Sequence, residues 1–150
     1  MANLYVWLKF VHLVGLGAFL FGHGISAGAS FVLRRPLPDA ARAALLQLSI
    51  RAYAAAGPGL LLLIVTGVWM GFLGSFWRTG WIWAAIVVLV ATIVVMSANS
   101  VPYHKARDAA AKNPAGAIET ELKSARPVVL AAIGGMAILV LLFLMVFKPF

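Results

Sequence analysis

Residues 4–33 read LYVWLKFVHLVGLGAFLFGHGISAGASFVL and are followed at once by Arg34 and Arg35. As an α-helix, this stretch would be roughly 45 Å long, which is enough to cross the hydrocarbon core of a bilayer and both of its interfaces. Its apolar part is too long for a signal peptide, and it does not open with a basic region. The sequence therefore predicts a retained membrane-spanning helix, around which the rest of the chain is organised.

The composition predicts that the whole chain is a membrane domain. Of the 150 residues, 63% are hydrophobic and 11% are charged, and the mean hydropathy is +1.00. Soluble domains contain about 25% charged residues. Three further apolar runs are long enough to span a bilayer, at residues 53–76, 81–101 and 127–147. We therefore predict one all-α domain over residues 1–150, a four-helix transmembrane bundle in contact with lipid.

The basic residues predict how the four helices are oriented. Nine of the twelve Lys and Arg residues lie between the first and second spans or between the third and fourth. Basic loops stay in the cytoplasm, so we expect both termini outside (N-out/C-out). The net charge of +8 does not predict nucleic-acid binding, because the basic residues cluster at the ends of apolar runs.

Both cytoplasmic connections are predicted to contain short surface helices. The first would begin with Asp39 as its N-cap and end at residues 57–59, where Gly-Pro-Gly predicts a break or kink on entering the membrane. The second would open at residues 113–114, Asn-Pro, and carry Glu119 and Lys123 at the i,i+4 spacing of a helical ion pair. These helices are expected to be solvated connectors without chemistry of their own.

Three ionisable side chains lie inside the first span, namely Lys9, His12 and His23. Steps of 3 and 11 residues at about 100° each place all three within a narrow sector of one helix face. The two histidines would be separated by about 16 Å along the axis, in opposite leaflets. Ionisable groups in membrane helices are rare and usually face the bundle interior, so this face is the predicted functional site.

Two histidines on one face are candidate metal ligands, above all for the iron of a b-type haem. The helix directions predict Met70 near the level of His12, and they predict Met96 near the level of His23, with His104 somewhat deeper at the cytoplasmic boundary. His/Met and His/His are both axial pairs for haem, while Cu(I) is the alternative metal for these soft ligands. The simpler interpretation is a hydrogen-bonded core histidine with methionines that fill gaps. Lys9 is either an interfacial anchor or the counter-charge of a haem propionate.

Small residues predict where helices approach each other closely. The first span carries Ala18, Gly22 and Ser26 at a spacing of four, and also Gly24 and Gly28. Such spacing lets two helix backbones pack together in lipid. These grooves are expected to build the bundle, and some of them could serve a homodimer or a larger membrane complex.

Several short motifs resemble those of a known family. They are LKFVHLVG at residues 8–15, the Gly-Pro-Gly of residues 57–59 followed by TGVW at 66–69, Trp81 and Trp83, and LMVFKP at 144–149. In this order and spacing the chain resembles the bacterial family of predicted integral membrane proteins of unknown function, DUF2269. It is similar, more distantly, to the four-helix CopD copper-resistance proteins and to HemJ-type protoporphyrinogen oxidases. Those proteins also open with a Lys- and Leu-rich helix that bears a histidine where His12 stands.

The resemblance implies a four-helix bundle in which His12 is a ligand, and it supplies no established activity. HemJ-like oxidase activity would need further matching residues beyond the first helix. Because the sequence has no recognisable catalytic triad, carboxylate pair or phosphate loop, we predict no catalytic residue. The leading hypothesis is therefore a small membrane protein that binds haem b for electron transfer. A cofactor-free accessory subunit of a respiratory or photosynthetic complex is the alternative, and copper handling is the third.

Overall fold

The computed structural model describes residues 2–112 and 117–150. Within these residues the chain forms six α-helices and one short 3₁₀ helix, and no strand. The α-helices are α1 (Ala2–Val32), α2 (Asp39–Leu73), α3 (Gly80–Asn99), α4 (Val101–Lys112), α5 (Ala117–Leu122) and α6 (Pro127–Phe147), and the 3₁₀ helix is Phe76–Arg78.

Four of these helices, α1, α2, α3 and α6, are long and apolar enough to cross a membrane. This confirms the predicted all-α bundle with four spans. Most of their apolar side chains are exposed, which is what a surface in contact with lipid requires. Pro127 lies in the first turn of α6, as predicted, where its missing N–H leaves no helical hydrogen bond unmade.

The second span differs from its prediction. Residues 53–76 were expected to follow a surface helix, with a break or kink at residues 57–59, but α2 runs without interruption from Asp39 through Pro58 to Leu73. The predicted break is therefore wrong, whereas a kink at these residues stays a prediction. Pro58 removes only one N–H, and its side chain is exposed while Gly59 packs against α1. In lipid, the surrounding backbone groups are satisfied only if the helix continues.

Two further local predictions are wrong at the connections between the spans. Pro38 is the N-cap of α2, and Asp39 is the first helical residue and makes no capping hydrogen bond. Glu119 does not pair with Lys123, because its carboxylate lies 3.0 Å from the guanidinium of Arg42, which also contacts Asp39 at 3.4 Å. Arg42 thus ties α2 to α5. The predicted opening of the second surface helix, at residues 113–114, lies outside the described residues.

The bundle consists of two helix pairs, α1 with α2 and α3 with α6, and α1 also contacts α6. Glycines allow the close approach of the first pair. A Cβ at Gly22 would lie 2.6 Å from the carbonyl oxygen of Ala52, and one at Gly59 would lie 2.6 Å from the backbone nitrogen of Phe19. The α1–α2 contact therefore brings backbone against backbone, as the small-residue spacing predicted.

The two ends of the bundle differ in chemistry. At one end the N-terminal part of α1 meets the C-terminus, since Tyr5 packs edge-on against Phe76 and the ammonium of Lys148 lies 4.3 Å from the centre of the same ring. The N–H of Trp81 donates to the carbonyl oxygen of Phe150 at 3.1 Å. At the other end, α4 and α5 close the bundle over a buried cluster of Leu33, Leu46, Tyr103, Ala106 and Ile118.

Candidate functional site

His12 is buried between α1 and α2, with 8% of its surface exposed. Its Nδ1 lies 2.9 Å from the hydroxyl oxygen of Thr66, which is itself 4% exposed. The predicted inward orientation of His12 is therefore present. A histidine held in this way can serve the bundle as an interhelical hydrogen bond, or it can present its second ring nitrogen to a ligand.

The hydroxyl of Thr66 determines which nitrogen of His12 carries the proton. That hydroxyl donates to the carbonyl oxygen of Leu62, one turn earlier in α2, at 2.6 Å. Its hydrogen is thus engaged, so its oxygen accepts the Nδ1–H of His12. The ring also has a backbone contact with Leu63. When Nδ1 of the neutral ring donates to Thr66, Nε2 keeps its lone pair, and no side chain of the described residues forms a hydrogen bond with it. This is the tautomer that metal-binding histidines adopt when a neighbour fixes Nδ1.

Gly67 makes room for the imidazole. A Cβ at this position would lie 3.3 Å from Cε1 of His12, so any side chain would press on the ring. One turn further along α2, Gly71 accommodates the indole of Trp77 in the same way, at 3.0 Å. Thr66 and Gly67 were not among the predicted site residues. The available signal was their place in the TGVW motif, because a hydroxyl residue before a glycine suits an interhelical contact.

His23 lies where α1, α3 and α6 meet. Its ring stacks on Phe19, with centroids 5.4 Å apart and planes 15° from parallel. A Cβ at Gly134 would lie 3.5 Å from Nε2 of His23 and 3.6 Å from the terminal methyl carbon of Met96. The imidazole and the thioether side chain, from different helices, therefore both lie near one glycine of α6. Their role as a ligand pair stays a prediction.

The other predicted ligands are more dispersed. Met70 lies on α2 one turn beyond Thr66 and is partly buried, and Lys9 is exposed one turn before His12. His104 is exposed on α4, and its Nδ1 lies 3.4 Å from Nη1 of Arg107. Within residues 2–112 and 117–150, no three His, Asp or Glu side chains form a group suited to a metal ion. A metal group bound here would rest on one or two protein ligands.

A second polar cluster, which the sequence did not predict, lies at the end of the bundle that α4 and α5 close. The hydroxyls of Ser26 and Ser49 are 2.8 Å apart, and Nη2 of Arg107 donates to the hydroxyl of Ser49 at 3.3 Å. Nε of Arg107 is buried and has no partner among the described residues. Burial also lowers the pKa of Arg107 from its usual range, against a smaller opposing influence of Tyr53. Basic residues beside a span usually indicate only the orientation of the helices, so nothing in the sequence distinguished Arg107 from the other basic residues.

The sequence profile of DUF2269, described as a predicted integral membrane protein, matches residues 6–149. The chain belongs to the DUF2269 family. The match includes His12, His23 and Arg107, and membership agrees with the four spans. No curated protein and no solved structure matches the DUF2269 chain at a significant level.

Proposed function

We propose that this DUF2269 protein binds a b-type haem through His12 and holds or passes electrons in the inner membrane of a bacterium, with α4 and α5 on the cytoplasmic side. The observation that carries the proposal is the state of His12. Its imidazole is buried, its Nδ1 is fixed by Thr66, and its Nε2 has no side-chain partner. Haem iron takes a histidine nitrogen as an axial ligand, and a fixed second nitrogen orients that ligand.

His23 and Met96 form the second metal position of the proposal. The two histidines are about 16 Å apart along α1, so they cannot bind one iron. Convergence of an imidazole and a thioether on Gly134 suits either haem iron or Cu(I). Copper handling is therefore the metal alternative at this position, and analysis of the bound metal distinguishes the two.

The test is an optical spectrum of the purified protein, combined with analysis of its iron and copper content. We expect the wild-type protein to show a Soret band and to contain haem iron. Met96→Leu is expected to alter the spectrum only if His23 and Met96 hold a haem. If the wild-type protein contains copper and shows no Soret band, and if Met96→Leu loses that copper, the bound metal is copper and not haem iron. A protein prepared with haem available during expression that shows neither metal would overturn the proposal.

A second candidate function is that of a cofactor-free accessory subunit, and one face of α1 favours it. A Cβ at Gly17, Gly24 or Gly28 would meet no atom within 4 Å, in contrast to Gly22, which faces α2. These three glycines recur at spacings of seven and four, and Phe21, between them along the chain, is 75% exposed. Small residues at this spacing let a helix from another subunit pack closely.

The accessory-subunit hypothesis predicts a membrane partner that copurifies at fixed stoichiometry through this face. Gly28→Leu is expected to release the partner, because the added side chain holds the two backbones apart. Gly135→Leu is the matched control, since Gly135 on α6 also has open space around it. A second copy of the chain in place of a partner would indicate a homodimer, whereas a wild-type protein that remains a monomer in mild detergent would exclude both.

A further inference from the structure

The guanidinium of Arg107 reaches from α4 to α2 without a carboxylate to neutralise it. All four Asp and Glu residues of the chain lie within the described residues, and their only ion pairs are those that Asp39 and Glu119 form with Arg42. Arg107 is half-buried, and its contacts are a serine hydroxyl and an imidazole, neither of which is an anion. A partly buried cation without an anionic partner is a costly arrangement unless an anion joins it.

The geometry around Arg107 is rich in hydrogen-bond donors. Its two terminal nitrogens make contacts at 3.3 and 3.4 Å, longer than the usual range of charged hydrogen bonds, and its Nε has no partner. Ser49 is 5% exposed and shares its hydroxyl with Ser26 on α1. A guanidinium with free donors beside two hydroxyls matches the planar, forked pattern with which arginine binds phosphate oxygens.

Further basic residues lie at the same end of the bundle. Arg34 and Arg35 follow α1 just after Leu33 of the buried cluster, and Lys105 lies on α4. The spanning helix α3 ends at Asn99 and α4, which carries Arg107, begins at Val101. Lipid headgroups occur beside the ends of membrane-spanning helices. From these observations we infer that Arg107, Ser49 and Ser26 bind a phosphate group at this end of the bundle. The phosphate belongs either to an anionic lipid headgroup or to a free phosphate. This site does not depend on haem binding.

The experiment compares two sources of phosphate against a ligand without phosphate. Protein in detergent is mixed with phosphatidylglycerol, with diacylglycerol of the same chains, or with inorganic phosphate, and native mass spectrometry and thermal unfolding are recorded. Phosphatidylglycerol is expected to be retained and diacylglycerol to be lost. Arg107→Gln is expected to bind about tenfold more weakly, since it removes a charge-assisted hydrogen bond. Lys112→Gln, which removes one exposed positive charge from the same helix, is expected to bind as the wild type does.

The outcomes separate the possible sources. Stabilisation by inorganic phosphate that depends on Arg107, without retention of phosphatidylglycerol, assigns the site to a free phosphate. If Arg107→Gln does not fold, Arg107→Lys keeps the charge and loses the planar fork, and it is expected to bind several-fold more weakly. Equal retention of phosphatidylglycerol and diacylglycerol by the wild type, without stabilisation by inorganic phosphate, would overturn the inference. Equal losses of phosphate-ligand binding in Arg107→Gln and Lys112→Gln would also overturn the inference.

Discussion

Gly59→Ala is expected to lower the free energy of unfolding by about 3 kcal/mol, the upper part of the range for overpacked interiors. The new Cβ would lie 2.6 Å from the backbone nitrogen of Phe19 and 2.9 Å from the carbonyl oxygen of Gly15. Both atoms belong to the backbone of α1, so no side-chain rotation relieves the overlap and the two helices must move apart. Thermal unfolding in detergent, followed by circular dichroism, measures the change.

Gly24→Ala is the control for this prediction. Gly24 lies on α1 and a Cβ there would meet no atom within 4 Å. Alanine has a higher helix propensity than glycine by about 1 kcal/mol, so this variant is expected to be at least as stable as the wild type. Equal melting temperatures for Gly59→Ala and Gly24→Ala would mean that the α1–α2 contact is looser than described.

His12→Ala is expected to abolish the Soret band of the proposed haem, because it removes the iron ligand itself. Thr66→Val is expected to lower the affinity for haem by about 10- to 100-fold, the usual effect of removing the group that orients a metal-bound histidine. Valine has nearly the shape of threonine but cannot accept the Nδ1–H of His12, so the packing is kept while the hydrogen bond is lost. Haem titration into the purified apoprotein, followed by absorbance, gives both affinities.

Two matched variants complete this series. Thr66→Ser retains the hydroxyl and is expected to retain most of the affinity. His104→Ala removes an exposed histidine that contacts Arg107, and it is expected to leave haem binding unchanged. If Thr66→Val binds haem as tightly as Thr66→Ser does, Thr66 does not orient a haem ligand and its contact with His12 has a purely structural role. If His12→Ala keeps the Soret band, His12 is not the ligand.

The candidate site was predictable in part, for reasons visible in particular residues. Lys9, His12 and His23 share one face of α1 because helical periodicity is a local property, and the alternating direction of the spans was enough to predict Met96 at the level of His23. The same reasoning could not find Thr66. Many positions of α2 lie near the depth of His12, and which of them faces α1 depends on the rotation of α2 about its axis.

The wrong predictions share a cause. Residues 57–59 look like a break because Gly and Pro have low helix propensity, and Asp39 looks like an N-cap because its side chain suits one. Both rules describe a chain segment in isolation. In the structure, Gly59 is needed for the approach of α1, and Asp39 contacts Arg42, which also holds Glu119 on α5. Contacts between distant segments therefore outweighed the local preferences.

The sequence by itself determined the number of spans and the helix face that carries the two histidines, because hydrophobic length and helical periodicity act within one segment. Only the tertiary structure decided which glycines are packed and which are open, that Thr66 fixes His12, and that Arg107 reaches Ser49 without a carboxylate. Those features depend on the rotation and pairing of whole helices, which the packing of one backbone against another specifies.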